Sequence, residues 1–526
     1  MRNFRSIYLK SPFLCILLAL ILILALSFQL RRDEFDKVTG SDNLPASYHV
    51  LLTIQALRSS SVKNHFYLPT VTLGAENDKN IPWGRTTPTK TGDYVYTSFT
   101  PPGFLAPYAI FSIFSINPSI KSLAYFNAAV GAIASVLLYL FLFSLFSTQS
   151  NRPTEAAAAS FFAVFVSIFS REALQSHGLV YWSQSLYQIL LISTVWALSA
   201  YANAITDRER FFRSAVLCTL VFMGAWTEWT GYITGIGIFF LLRFYDPPSS
   251  QTRNGILVAL FLALFITVLH YGLAIGFVRL ILISLERSIG RGVAQGSFAD
   301  LLDGYSISFG YYLLIVLATA VALIYVYINS RSSNFANKHQ WRDTQRFLII
   351  FVAALIPLLE NIAMLQHASE WTFDRLKFVL PSSILVGSAF FIIRDFLFRT
   401  FLIIAVIYAA FSGFNDYREG INKFSDWINI DGQNTELVSR INSLVNVECA
   451  VILTTMDVRG YTNLIFNRGV YEFKSRDDGA ELMQNRNACA SIFVNAEPAY
   501  PGLPRFIDAT IQMKDGDVVF LKAQSS

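Results

Sequence analysis

Residues 13–30 run for 18 positions without a charge, and a helix of that length reaches about 27 Å, enough for the hydrocarbon core of a bilayer. Further apolar stretches follow near 121–146, 155–170, 179–204, 211–225, 229–243, 254–284, 306–328, 346–365, 376–393 and 398–413, which makes eleven expected spans. Of the 526 residues, 53% are apolar and 15% charged, against about 25% charged in soluble domains. With 46 Phe the chain has more apolar surface than one core can hide from water, so lipid has to cover much of it. The fold class expected is an all-α polytopic membrane protein with a small soluble α/β tail. The formal charge of +5 is small for this length and gives no reason to expect nucleic acid as a partner.

Orientation follows from loop charge. Arg2, Arg5 and Lys10 precede the first run with no acid among them, which places the N-terminus in the cytoplasm by the positive-inside rule. A cleaved signal peptide ending near Ala25 is the rival reading, but the run is longer than an ordinary signal core. With eleven spans, the segments assigned inside carry 15 Lys and Arg and the short outer turns carry 5. The protein is therefore expected to cross the plasma (inner) membrane many times, with charge bias and span count agreeing on one orientation. Residues 31–102 form a long polar loop on the outer side, with Pro at 45, 69, 82, 88, 101 and 102. Residues 103–116 are apolar but too short to span and contain Pro107, which suits a helix lying on the outer surface. The membrane domain is taken as 1–413 and the tail, 414–526, as extracytoplasmic. Helical spacing over 435–447 and short strand-like runs at 450–454, 491–494, 506–511 and 518–521 predict a small α/β fold there. Cys449 and Cys489 are either a disulfide or two free thiols on this reading.

The spans carry few charges, chiefly His270, Arg279 and Glu360. Polar chemistry gathers instead at the expected outer face. Arg31-Arg32-Asp33-Glu34-Phe35-Asp36 follows the first run, and a carboxylate held there could act as general base on an acceptor hydroxyl, although charges also flank spans merely to end them. A later turn, 366–377, holds His367, Arg375 and Lys377 just before Phe378-Val379-Leu380-Pro381. Its cations could meet a phosphate leaving group or simply anchor the interface. Smaller outer turns add Arg171, Glu172 and His177, then Glu228, then Glu286, Arg287 and Arg291. No Walker loop, dinucleotide fingerprint or HExxH pair occurs, so the energy for a reaction would have to arrive with an already activated substrate.

The order of three short motifs resembles the GT-C superfamily of membrane glycosyltransferases, in the branch of the protein mannosyltransferases and aminoarabinose transferases. Asp33-Glu34 follows the first span; Tyr94, Tyr96, Phe99, Pro101 and Pro102 close the first loop; and Lys377-Phe378-Val379-Leu380-Pro381 opens a late span. The resemblance implies a glycosyltransferase that takes sugar from a polyprenyl phosphate and passes it, with inversion, to a hydroxyl on a lipid, glycan or protein. It implies Asp33 as general base with Glu34 in support, and Arg375, Lys377 and His367 at the donor phosphate. An Arg-aromatic pair found in some relatives is replaced here by Asp36-Lys37, so part of the donor contact would come from elsewhere: Lys63, His65, Arg85, Tyr94 and Tyr96 are the candidates. No cofactor is expected, although Asp33, Glu34, Asp36 and Asp42 could hold a divalent cation. A transporter or lipid flippase is the alternative, and it predicts charges near mid-bilayer and paired repeat halves; a third, a membrane scaffold, predicts that Asp33 is dispensable.

Overall fold

The computed structural model describes residues 11–523 except 75–77, 82–85, 149–151, 246–249, 293–296, 333–337, 457–459, 473–476 and 501. Each of the eleven expected spans contains a helix, and among the described residues eight helices are long and apolar enough to cross a membrane by length and composition. The stretch over 211–243 is two helices, Asp207–Thr227 and Thr230–Tyr245, meeting at a turn that contains Glu228 and Trp229.

Several boundaries differ from the expectation, and at three of them the local reason is plain. The first helix, Ser11–Lys37, runs well past the apolar stretch. Arg31 turns inward there and donates to the carbonyls of Ser27, Leu174 and His177 at 3.1, 2.7 and 2.9 Å. The end of an apolar run marks the edge of lipid, whereas backbone hydrogen bonding decides where the helix ends. The expected 254–284 span stops at Ile275, because Gly276 has φ +91°, a conformation that only glycine enters freely. A second helix, Phe277–Gly292, follows and carries Arg279 out of the span. Near the end of the 346–365 span, Pro357 lies in a single 3-10 turn between helices Lys338–Leu355 and Leu359–Ala363, since proline cannot supply the next helical N–H.

The first loop is ordered around helix Leu44–Ser59, whose inner residues include Leu44, Val50, Leu52 and Ile54, and a hairpin of Thr86–Pro88 with Tyr94–Tyr96. The surface helix spans Pro102–Ile113 and buries Phe104 and Phe111 while Ile110 and Ile113 stay exposed. The last span, Phe396–Asn422, continues past 413 without a break. Beyond it, helix Trp427–Leu444 packs on a five-stranded sheet in the order Val470–Glu472, Val451–Thr454, Ala490–Tyr500, Leu503–Met513, Val518–Lys522. The first three strands are parallel and the rest antiparallel. Cys449 and Cys489 are joined as a disulfide, with Cα atoms 5.5 Å apart.

The segments assigned to the outer face meet at one end of the helix bundle. Trp229 donates its indole N–H to the Ser98 carbonyl at 2.6 Å, His270 reaches the Phe66 carbonyl, and Arg171 reaches Asp42. Tyr48 of the loop stacks on Trp427 of the tail with ring centroids 6.0 Å apart.

Candidate functional site

Three chain segments converge on the start of helix Leu44–Ser59. Asn43 precedes it in a left-handed conformation, φ 62°, and Pro45 stands in its first turn, where proline is favoured because its missing N–H costs no helical bond. The adjacent Asp42 is thereby turned toward the 171 turn. Arg171 donates to its carboxylate at 2.6 Å, and Gln175 to its backbone carbonyl at 2.6 Å. Asn43 links the same point to the later turn, accepting from the Thr372 N–H at 2.9 Å. The Asp42 carboxylate stays 37% exposed and Arg171 15% exposed, so the pair is reachable from outside while its arginine is largely desolvated.

Behind this pair lies a buried charged cluster. Lys377 Nζ is 2.6 Å from Glu360, Gln184 donates to Asp374 at 2.7 Å, and Asp374 also bonds His367. Ser183 donates to Glu228. Arg375 donates to Ser308 at 2.7 Å and to the carbonyls of Ala368 and Ser369 at 2.7 and 3.0 Å, and Ser308 in turn donates to Glu172 at 2.8 Å. Glu172, Glu228, Glu360 and Asp374 are buried, with Arg375 and Lys377 as the buried cations among them and the Arg171 charge also acting on Glu172. Glu228, in its turn between two helices, is pushed up to about 8 by burial and then by the Glu360 carboxylate. The shift favours the neutral acid, which relieves part of the excess negative charge. The cluster sits near helix ends, with Glu360 in Leu359–Ala363 and Asp374, Arg375 and Lys377 in the turn Thr372–Phe378.

An aromatic wall joins the first loop to the late turn. His49 lies 4.6 Å from Tyr96 between ring centroids, Tyr96 is 6.0 Å from Phe99, and Phe99 is 6.3 Å from His367. Trp182 fills the angle between Phe99 and Phe373, at 5.0 and 5.8 Å. Burial holds the imidazoles of His49 and His177 down to about 3, with the Arg31 charge adding to the effect at His177.

The residues singled out in the sequence fall in different places. Asp33 is exposed on the first helix, with neither a hydrogen bond nor an ion pair among the described residues, whereas Glu34 is half-buried with Oε2 unpartnered. Arg375 and Lys377 are 2% and 3% exposed, with Nε and Nη1 of Arg375 and the Lys377 ammonium bonded to protein groups, while His367 is reachable at 24% exposure. Tyr96 belongs to the aromatic wall; Tyr94 faces a separate cluster of Leu52, Ala56, Val71 and Leu73. Lys63 is exposed, His65 is buried accepting from the Tyr67 N–H at 2.9 Å, and Arg85 lies outside the described residues. Asp33, Glu34, Asp36 and Asp42 do not converge: Asp36 pairs with Lys121 at 3.1 Å and Asp42 with Arg171. Among the described residues no group of three His, Cys, Asp or Glu could hold a metal ion.

Asp42 is the site residue that the sequence pattern leaves inconspicuous, since there it stands only as one of four neighbouring acids. The signal that could have found it is the Asp42-Asn43-Leu44-Pro45 helix start, which fixes an acid at the N-terminal end of a helix.

No protein-family model and no curated protein matches the sequence. Solved structures do. ArnT from Cupriavidus metallidurans bound to undecaprenyl phosphate is similar over 90% of this chain and 92% of its own, with a TM-score of 0.59 and 10% identity. The archaeal oligosaccharyltransferase AglB from Archaeoglobus fulgidus, in complex with an inhibitory peptide and a dolichol-phosphate, is similar over 93% of this chain and 70% of its own, with a TM-score of 0.51 and 12% identity. Both neighbours are GT-C proteins, and likeness at this identity carries architecture rather than activity: the chain has the GT-C membrane fold that the order of its motifs resembles.

Proposed function

We propose that this protein transfers a sugar from a polyprenyl-phosphate donor to a hydroxyl of a lipid, glycan or protein acceptor, with inversion, at the outer face of the plasma membrane. The reading draws on the GT-C fold and on the lipid phosphates bound by the two neighbours. Its orientation draws on loop charge, and on the Cys449–Cys489 disulfide of the tail, a bond that persists in oxidising compartments.

The observation that carries the chemistry is the half-exposed Asp42 carboxylate, held by Arg171 where the first loop meets two outer turns. On this reading Asp42, rather than Asp33, takes the acceptor proton as the acceptor oxygen attacks the anomeric carbon. The bond from that carbon to the phosphate oxygen breaks, and its electron pair leaves with the polyprenyl phosphate. Arg171 fixes the carboxylate and, with His367, meets the developing phosphate charge. Arg375 and Lys377 support from behind: their own partners hold them, so they contribute fixed positive charge and the shape of the turn rather than direct contact. Glu34 stands close to the Arg31 side of the same helix end and plays no part in the proton transfer. No step requires a divalent ion.

The test is release of polyprenyl phosphate from polyprenyl-phosphate sugars by protein in lipid nanodiscs, comparing wild type, Asp42→Asn and Asp33→Asn. Loss in Asp42→Asn with Asp33→Asn near wild type supports the reading. The reverse pattern restores Asp33 as the base, and no release by wild type across a donor and acceptor panel removes the transferase reading.

A further inference from the structure

The tail domain meets the first loop along a seam whose tightness is set by glycines. A Cβ at Gly460 would stand 2.8 Å from the Tyr48 carbonyl carbon and 3.0 Å from the His49 nitrogen. One at Gly40 would stand 2.7 Å from Phe424 Cβ and from the Trp427 ring, and one at Gly502 would stand 2.2 Å from Pro45 Cγ. Real Cβ atoms do not approach backbone this closely, so loop and tail are in contact with no room for a methyl group. Between these points the Tyr48 ring lies on Trp427 and against the edge of Tyr461, with centroids 6.0 and 5.2 Å away. Farther along, Arg468 pairs with the buried Asp78 at 2.9 Å, and Gln55 donates to Asn467 at 3.3 Å.

Most of these contacts fall on, or beside, the segment that begins with Gly40 and leads through Asp42-Asn43 into helix Leu44–Ser59. That helix turns Tyr48 toward the tail and the neighbouring His49 toward the aromatic wall. We propose that the tail domain is a positioning part of the active site: it holds the loop helix in the one register that sets Asp42 against Arg171 and Asn43 against Thr372. The proposal rests on the transferase reading. It differs from a tail that selects the acceptor, which would bind substrate itself and leave the geometry of Asp42 to the membrane domain. Trp427, Gly460 and Tyr461 are positioning residues on this account, acting through the loop and touching no substrate.

The experiment is steady-state kinetics of the full-length protein in nanodiscs for wild type, Gly460→Val, Gly40→Ala and Gly432→Val. Gly432 is a control in the same tail, because a Cβ there meets nothing within 4 Å. Displacing a catalytic group by about an ångström costs on the order of a hundredfold in rate, so Gly460→Val and Gly40→Ala are expected to lose tenfold or more in kcat, on the order of that penalty, with both KM values little changed. Gly432→Val keeps wild-type kinetics. A rise in acceptor KM at unchanged kcat makes the tail a substrate-binding module and overturns the proposal, as does unchanged activity in Gly460→Val. If the valine variant does not accumulate, Gly460→Ala, which adds only the Cβ, separates the two roles by the same split between kcat and KM. Inactive wild type would instead count against the transferase reading, so the two failures are distinct.

Discussion

Lys377 offers a sharp test of whether the buried cluster is scaffold or ligand site. Its ammonium is 2.6 Å from the Glu360 carboxylate and the two side chains are 3% and 9% exposed, with Asp374 and Glu228 also buried nearby. Lys377→Met removes the cation that faces the buried Glu360 and Asp374 carboxylates. Breaking one side of such a pair costs about 3–5 kcal/mol, because the remaining charge stays buried without a partner. Replacing both members by neutral groups of similar volume is about neutral by comparison. Lys377→Met should therefore lower the temperature at which the protein in nanodiscs loses its fold, and Lys377→Met combined with Glu360→Gln should regain most of the loss. The second readout is donor turnover at a temperature where both variants are folded. If Lys377 acts as scaffold, the double variant regains turnover along with stability. If it binds the donor phosphate, the double variant is folded and inactive. A single variant as stable as wild type would refute the reasoning about the cluster itself.

Other outcomes follow from the same geometry. Asp42→Asn should lower turnover by about 10²–10⁴ at unchanged stability, the range for loss of a general base, with release of polyprenyl phosphate as the assay. Cysteine-to-serine change at 449 and 489 opens a link between residues 40 apart in sequence, which by chain entropy costs the tail about 4 kcal/mol; protease sensitivity of 414–526 would report it. His49 and His177 are held near 3 in the folded protein against an ordinary value near 6.5, so the unfolded chain binds protons that the fold refuses. Stability should be full above about pH 6.5 and fall as pH drops toward 3, by about 2 kcal/mol per histidine at pH 5. Carboxyls raised by burial, among them Asp78, Glu172 and Glu228, work in the opposite sense, so the histidine contribution is read by difference: His49→Gln and His177→Gln should each reduce the acid sensitivity in thermal denaturation.

The spans are readable in the sequence because lipid demands long uncharged runs, and the grouping of outer turns is readable because loop charge and span count constrain each other. The tail helix and four of its five strands are also visible as local patterns, whereas Val470–Glu472 is too short to show one. What pattern does not carry is direction around a helix beyond the lipid edge. Arg31, Asp33 and Glu34 look alike as charges flanking a span, yet helical geometry sends Arg31 inward and Asp33 outward. Nor does pattern show partnership across distance: Asp42 gains its interest from Arg171, 129 residues away. The expected phosphate ligands Arg375 and Lys377 read as free cations in a turn, and only the fold reveals Glu360 and Ser308 as their partners.

The pairing of Asp78 with Arg468 joins residues 390 apart in the chain. A ribosome adding about 5–20 residues per second needs roughly 20–80 s to cover that interval. On the proposed orientation, the loop helix waits throughout it on the outer side with Tyr48 and Pro45 uncovered, until the last span has threaded and the tail has been exported behind it. Assembly of the seam is thus among the final events in the birth of the molecule, and a chain cut short anywhere before the tail leaves that loop bare.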